Sequence, residues 1–300
     1  MGPPDPLLGR KPASMKITVG IPCFNQQHHL DGLLRSLEDV SVDDLVIVDD
    51  GSDKPIEPVT RRLPVRIFRH SSNLGLASAR NTIVREADGD VVLFLDCDVR
   101  MRKFSRKAVE IAFSGPGLAA VTGRAEEGGS RGAVDRWRSR FWVQDHGPTP
   151  GAVDLAYGLC SAWRRDVLIS LGGFRECLRS HGEDVDLSIR AVAAGFSIAH
   201  LPEIVVDHRR RDSFSSLLRM VWQHSYYFSL VAKDHRHPSY RRALVNSLKW
   251  CIVAPVSSIV RHRDLASFVL SIPCCFASVS ARLVAGFSKG IEDRPQEPGY

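Results

Sequence analysis

Short continuous apolar runs alternate with amphipathic stretches through the first hundred residues. KITVGIP (16–22), DLVIVDDGSD (44–53), VRIFRH (65–70) and VVLFLDCDV (91–99) read as strands. Runs that are apolar on successive residues need cover on both faces of a sheet, which is the pattern of buried parallel strands. Between them LASARNTIVREA (76–87) sets Leu76, Ala79, Ile83, Val84 and Ala87 on or near one helical face. Asn25 is placed to N-cap an earlier helix reaching about Val40. Strands alternating with helices predict a parallel sheet with helices on both faces.

The middle of the chain is more mixed. LAAVTG and LAYGLCSAWRR read as strands, GEDVDLSIRAVAAGF as a helix and FSIAHLPEIVVDH as a strand pair. RGAVDRWRSRFWVQDHGPTPG, punctuated by Gly and Pro, reads as a mobile loop whose Trp137 and Trp142 serve either as core anchors or as rings on which a ligand stacks. Beyond His208, SFSSLLRMVWQHSYYFSLVAKD is amphipathic, and two apolar stretches follow at 248–260 and 265–287. The second approaches the roughly 20 residues that span a bilayer. It also carries Arg282, Pro273 and several serines, which favours interfacial attachment over a span, with a helical hairpin packed on the main domain as the alternative. These patterns divide the chain into a disordered leader (1–14), a main domain (15–210) and a helical, basic, partly apolar extension (211–300).

Charge changes the picture in one place. The net charge is +6, and from Val205 onward 14 Lys/Arg face 7 Asp/Glu, so the excess lies in the last third. A basic tail with apolar runs suits an anionic membrane surface, and no nucleic-acid motif accompanies it. Seven cysteines include no CxxC pair, and the count is odd, which reads as reduced cytosolic thiols rather than a zinc site or disulfide framework. The first 14 residues contain no apolar core of a secretory signal, so the expected location is cytoplasmic, peripheral on the inner membrane face.

Candidate chemistry gathers at strand ends. In open α/β sheets ligands bind beyond the carboxyl ends of the strands. Both acid clusters, Asp49-Asp50 and Asp96/Asp98, fall there. Carboxylates two residues apart can reach one hard cation, Mg²⁺ or Mn²⁺, together with phosphate oxygens. A second cluster, Glu183-Asp184-Val185-Asp186, opens a helix after Gly172-Gly173-Phe174. Acids in a first helical turn suit the helix dipole, but three in four residues exceed what capping needs. A carboxylate beside an acceptor hydroxyl can take its proton, typically worth about 10² to 10⁴ in rate.

Taken in order, IPCFN (21–25), VIVDDGSD (46–53), NLGLASARN (73–81), LDCD (95–98), GGF (172–174) and GEDVDLSIR (182–190) resemble the family-2 glycosyltransferases over about residues 15–208. The resemblance implies a GT-A fold, the three-layer α/β/α sandwich of nucleotide-diphospho-sugar transferases, here with a mostly helical C-terminal extension. It also implies inverting, metal-dependent transfer from a nucleotide sugar, a UDP-sugar favoured, to a hydroxyl acceptor. Residue by residue, it puts Pro22 and Phe24 beside the nucleotide base, and Asp49 and Asp50 on the base or ribose. Gly51 and Ser52 make the adjoining turn, with Arg80 near base or phosphate. Asp96 and Asp98 match the DxD motif, Asp98 as the more direct metal ligand, and His208 a third ligand. Asp184 matches the catalytic base, and Glu183 a residue that orients acceptor or base. Arg219-Met-Val-Trp222-Gln223-His224 only distantly echoes the Q-x-x-R-W motif of processive members, so single-sugar transfer is expected.

Two alternatives remain. The hhhhDxDxV pattern also opens haloacid-dehalogenase-type phosphatases, with Asp96 as nucleophile, but about 90 residues precede it here and the later Gly-Asp-x-x-x-Asp motif is missing. A non-catalytic membrane-associated scaffold is the other. A nucleotidyltransferase would need a Gly-rich, basic loop after the first strand, where IPCFNQQHHL stands.

Overall fold

The computed structural model describes residues 15–57, 64–127, 132–179 and 181–291, without the side chains of 239–244. The expected leader, 1–14, lies outside the described residues. Strand β1 (Ile17–Cys23) is buried along its whole length, as is β4 (Val91–Leu95). Their side chains divide by alternation. In β4, Val91, Leu93 and Leu95 enter one apolar cluster with Leu30, Leu33, Leu34 and Leu37 of helix α1 (Gln27–Leu37). Val92 and Phe94 enter a second with Ala79, Ile83 and Val84 of α2 (Leu76–Glu86). Both faces of the sheet are therefore dry and covered, each fully buried Leu or Ile contributing about 1.5–3 kcal/mol.

The sheet has nine strands. Along with β1 and β4 it holds β2 (Asp44–Asp49), β3 (Val65–Arg69), β5 (Val99–Lys103), β6 (Leu118–Glu127), β7 (Gly151–Val153), β8 (Cys160–Arg164) and β9 (Ser197–His208). Their order is β3-β2-β1-β4-β8-β6-β9-β5, with β7 beside β9. The first four strands are parallel as expected, but β8 runs antiparallel to both β4 and β6, so the sheet is mixed. The shorter helices are α3 (Arg106–Ala112), α4 (Ala133–Phe141), α5 (Arg165–Ser170) and α6 (Glu183–Ala193). The extension folds as α7 (Phe214–Asp234), α8 (Ser239–Val260) and α9 (Leu265–Phe287).

Several local expectations are corrected. Asn25 is not the cap of α1: Gln26 is, with no side-chain bond, while Asn25 adopts φ +54° and its Oδ1 accepts from the Asp53 amide at 2.9 Å. The 91–99 run is two strands, broken by a turn at its acids. Residues 197–208 form one strand rather than a pair; its register against β6 shifts around Pro202, which has no amide hydrogen to give the ladder. The presumed loop at 131–151 contains α4, since Trp137 has a core to enter: its ring is fully buried near Leu217, Val221 and Cys274, and Nε1 donates to Ser271 Oγ of α9 at 2.9 Å. The extension thus shares its core with the main domain. Among the described residues α9 alone is long and apolar enough to cross a membrane.

Candidate active site

The turn that breaks the 91–99 run builds the site. The Val99 amide donates back to Asp96 O at 3.3 Å, and β5 then restarts antiparallel to β9, with Val99 opposite His208. That register carries His208 to Asp98: Nε2 lies 3.5 Å from Asp98 Oδ2. On the other side β6 places Glu127 opposite His208, and the Glu127 carboxylate meets Nδ1 at 3.0 Å. Arg138, buried on α4, joins Glu127 at 2.7 Å and Asp212 at 3.0 Å. Burial pulls the His208 pKa down, but the hydrogen bonds to Asp98 and Glu127 outweigh it and raise the value to about 9. Burial pushes Asp98 up, and the bond and charge of His208 more than reverse this, so its carboxyl lies below the usual range.

Asp96 is held from α2. Arg80, 1% exposed, donates through Nη2 to Asp96 Oδ1 at 2.9 Å and to Gly158 O at 3.0 Å, and through Nη1 to Glu183 Oε1. A Cβ at Gly158 would stand 2.7 Å from that guanidinium, so any other residue there would have to displace Arg80 from its carboxylates. Burial raises the Asp96 pKa, Arg80 opposing and Asp98 adding to the rise. Burial also lifts Glu183 to about 7, helped by the charge of Asp184 and countered by Arg80, and its Oε2 is buried without a hydrogen bond.

Helix α6 is preceded by Gly182, whose φ of +81° suits glycine. Its three acids have separate surroundings. Glu183 binds Arg80, whereas Asp184 Oδ2 accepts from the Gly158 amide at 3.0 Å. Asp186 is fully buried, ion-paired with Arg190 at 2.7 Å and in hydrogen-bond contact with His235 Nε2 at 2.7 Å, a structural role. Asp96, Asp98, Glu183, Asp184, Arg80 and His208 all line one cavity of about 480 Å³.

The first acid pair does not line it. Asp49 accepts from the Ser52 amide at 2.9 Å, the Ile56 amide at 3.3 Å and Arg69. Asp50 accepts from the amides of Leu74 (2.9 Å) and Gly75 (2.8 Å) and meets His70 Nδ1 at 2.7 Å. Ser52 Oγ accepts from Asn25 N at 2.9 Å, which joins this loop to the Pro22–Phe24 segment. Pro22 O accepts from the Cys97 thiol at 3.0 Å, so that segment also abuts the DxD turn.

Several cavity residues escaped the sequence reading. Glu127, Arg138, Tyr157, His181, Arg210, His224, Phe228 and Arg282 either line the cavity or hold those that do. The one signal was chemical: an arginine within an apolar run, as at 282, needs a reason to be there. Trp142 also lines the cavity, packed on Trp250 and His224, while Trp137 is core. A histidine nitrogen 3.5 Å from the Asp98 carboxylate fits part of the shell of a hard divalent cation, and the Glu127 contact at Nδ1 is the outer support such a ligand needs. Among the described residues no three His, Cys, Asp or Glu side chains could hold an ion by themselves.

Comparison with known proteins accords with this arrangement. A family model described as Glycosyl transferase family 2 matches residues 18–172. The pre-mycofactocin glycosyltransferase of Mycobacterium tuberculosis is 29% identical over 280 residues, covering 87% of this chain and 57% of that protein. An O-antigen chain rhamnosyltransferase of Salmonella typhimurium is 26% identical over 209 residues, covering 65% and 66%. The chain therefore spans little more than half of the first of these relatives. Among solved structures, a Pyrobaculum calidifontis mannosyltransferase in complex with GDP-Man and Mn²⁺ matches with TM-score 0.58 at 15% identity, over 91% of this chain and 88% of that one. S. aureus TarS with UDP-GlcNAc matches with TM-score 0.53 at 16% identity, over 90% and 91%. These likenesses establish the GT-A fold.

Proposed function

The chain belongs to glycosyl transferase family 2, and from that membership we propose that it moves one sugar from a nucleoside-diphosphate sugar to an acceptor hydroxyl, with inversion. The observation that carries this reading is the convergence of Asp96, Asp98, His208, Glu183 and Asp184 on one cavity. Asp184 takes the proton of the acceptor hydroxyl as its oxygen bonds to the anomeric carbon and the bond from that carbon to the diphosphate breaks. Asp98 and His208, with Asp96 beside them, would hold Mn²⁺ or Mg²⁺. Bound there, the ion would stabilise the negative charge of the departing diphosphate. Arg80 keeps Asp96 and Glu183 in place and screens their mutual repulsion. Pro22, Phe24 and the Asp49–Ser52 loop would frame the nucleotide, the two aspartates acting through the backbone they fix.

One observation favours a second reading of the proton transfer. Glu183, with a pKa near 7 and an unbonded buried oxygen, has the properties of a base. A phosphatase is not favoured: the matching family transfers glycosyl groups, and Asp96 is engaged by Arg80.

The test is nucleoside diphosphate release from UDP-, GDP- and dTDP-sugars, with Mn²⁺ or with chelator. One donor should turn over, metal-dependently, and Asp184→Asn should stop it. Undiminished Asp184→Asn turnover, with Glu183→Gln inactive, would move the base to Glu183. Chelator-insensitive turnover would remove the metal.

For the extension we propose peripheral attachment to an anionic, cytoplasmic membrane face. Ile252, Val256, Leu265, Val269, Ile272 and Phe276 are exposed on α8 and α9, with Arg261 and Arg263 exposed at the turn between them. Sedimentation with anionic vesicles should be lost in the Ile252→Asp, Phe276→Asp double variant; equal sedimentation would refute attachment by this face.

A further inference from the structure

The helical extension supplies part of the cavity wall: His224 and Phe228 from α7, and Arg282 from α9. Arg282 stands out among the arginines of this interior. Arg80, Arg138 and Arg190 each meet carboxylates, namely Glu183 and Asp96, Glu127 and Asp212, and Asp186. Among the described residues Arg282 meets none. Its Nε donates to Ser247 Oγ of α8, its Nη1 donates to Ser229 Oγ of α7 at 2.9 Å, and its guanidinium lies over the Phe228 ring at 5.7 Å. Burial pulls its pKa down to about 10, with no neighbouring charge to offset the fall. Two hydroxyls and a ring fix the fork without neutralising it, and Nη2 has no hydrogen bond among the described residues.

A half-buried, unneutralised cation in an apolar helix is unfavourable unless something pairs with it. Neighbouring groups do not add to its charge. Burial holds His181 and His224 neutral, at about 4 and about 3, and Arg210 is paired with Asp212 at 3.1 Å. Asp96 and Asp98 lie on the sheet side, at the end of β4, whereas Arg282 is reached through α7 and α9. The donor diphosphate belongs to the former.

We propose that Arg282 is the anion-binding residue of the acceptor subsite, and that the acceptor carries an acidic group, phosphate or carboxylate, beside the hydroxyl that receives the sugar. This rests on the glycosyl-transfer reading above. A guanidinium offers two parallel N–H donors to either anion, and Trp142, Phe228 and Leu155 give the rest of such a molecule apolar walls.

The test uses the full chain saturated with Mn²⁺ and whichever of UDP or GDP it binds. Octyl phosphate, octanoate and octyl glucoside are then titrated as anionic and neutral probes. Wild type should bind one anionic probe about tenfold or more tighter than octyl glucoside. Arg282→Gln should erase that preference while nucleotide affinity stays, and Arg282→Lys should retain part of it. No preference in wild type overturns the proposal, and that comparison needs no variant to fold. Equal loss of nucleotide and octyl phosphate binding in Arg282→Gln also overturns it, because the anion would then be the donor's own diphosphate. Failure of nucleotide to bind wild type at all would instead sink the transfer reading.

Discussion

Two acid pairs end two parallel strands of this protein, and they meet opposite fates. Asp49-Asp50 closes β2, and both carboxylates are consumed by backbone amides, Arg69 and His70. Asp96 and Asp98 follow β4 and face a cavity, restrained among the described residues by the side chains of Arg80 and His208. The difference lies in what the chain brings next. After β2 the Gly51-Ser52 turn offers Asp49 an amide hydrogen at once, and the Leu74-Gly75 segment that leads into α2 offers Asp50 two more. After β4 the chain turns straight into β5, and among the described residues that turn supplies these carboxylates no backbone amide, so the acids are left to side chains of α2 and β9. A buried carboxylate satisfied by the backbone organises a loop; one left partly unsatisfied is available for a ligand.

That contrast can be broken in four ways, in falling order of effect. Asp184→Asn, on the cavity side, should lower transfer by about 10² to 10⁴ with nucleotide affinity retained, as read by steady-state turnover. Unchanged turnover would remove Asp184 from the chemistry. Asp98→Ala should weaken metal-dependent nucleotide affinity by at least the 10- to 100-fold typical of even outer metal supports, with little change in melting temperature. A large fall in melting temperature would class it with the first pair. Asp50→Ala should do the reverse, costing about 3 kcal/mol in urea unfolding because the Leu74 and Gly75 amides lose their acceptor.

Per pH unit, the smallest effect concerns the cavity wall. His181 and His224 are held neutral by burial, at about 4 and about 3, below their unfolded value near 6.5. The unfolded chain therefore binds more protons. Stability is complete above about pH 6.5 and is lost as pH falls toward 4, by up to about 1.4 kcal/mol per unit for each histidine. His224→Gln should flatten that slope in melts across pH 4–7; an unaltered slope would assign it elsewhere.

The sequence was most legible where one physical rule acts alone. Continuous apolar runs located β1, β2 and β4, and the acids at their ends were visible as such. Direction was not: β8 is buried much as β4 is yet runs antiparallel to it, since burial on both faces says nothing of strand sense. Trp137 was ambiguous because its partners, Leu217 and Cys274, lie on helices more than 75 residues later. The same reason hid Glu127 and Arg138, whose meaning comes only from the register that sets them beside His208. Asp186 and Asp184 are alike in sequence and differ through Arg190 and His235 on one side and Gly158 on the other.

The central claim is that the acids around one cavity assemble a site for a divalent ion and a nucleoside diphosphate. Calorimetric titration of UDP and GDP into wild type, Asp98→Ala and Asp184→Asn, each with Mn²⁺ and with chelator, tests it directly. The account predicts Mn²⁺-dependent binding of one nucleotide, weakened in Asp98→Ala and preserved in Asp184→Asn. Binding that ignores Mn²⁺ and is equal in all three proteins would contradict it.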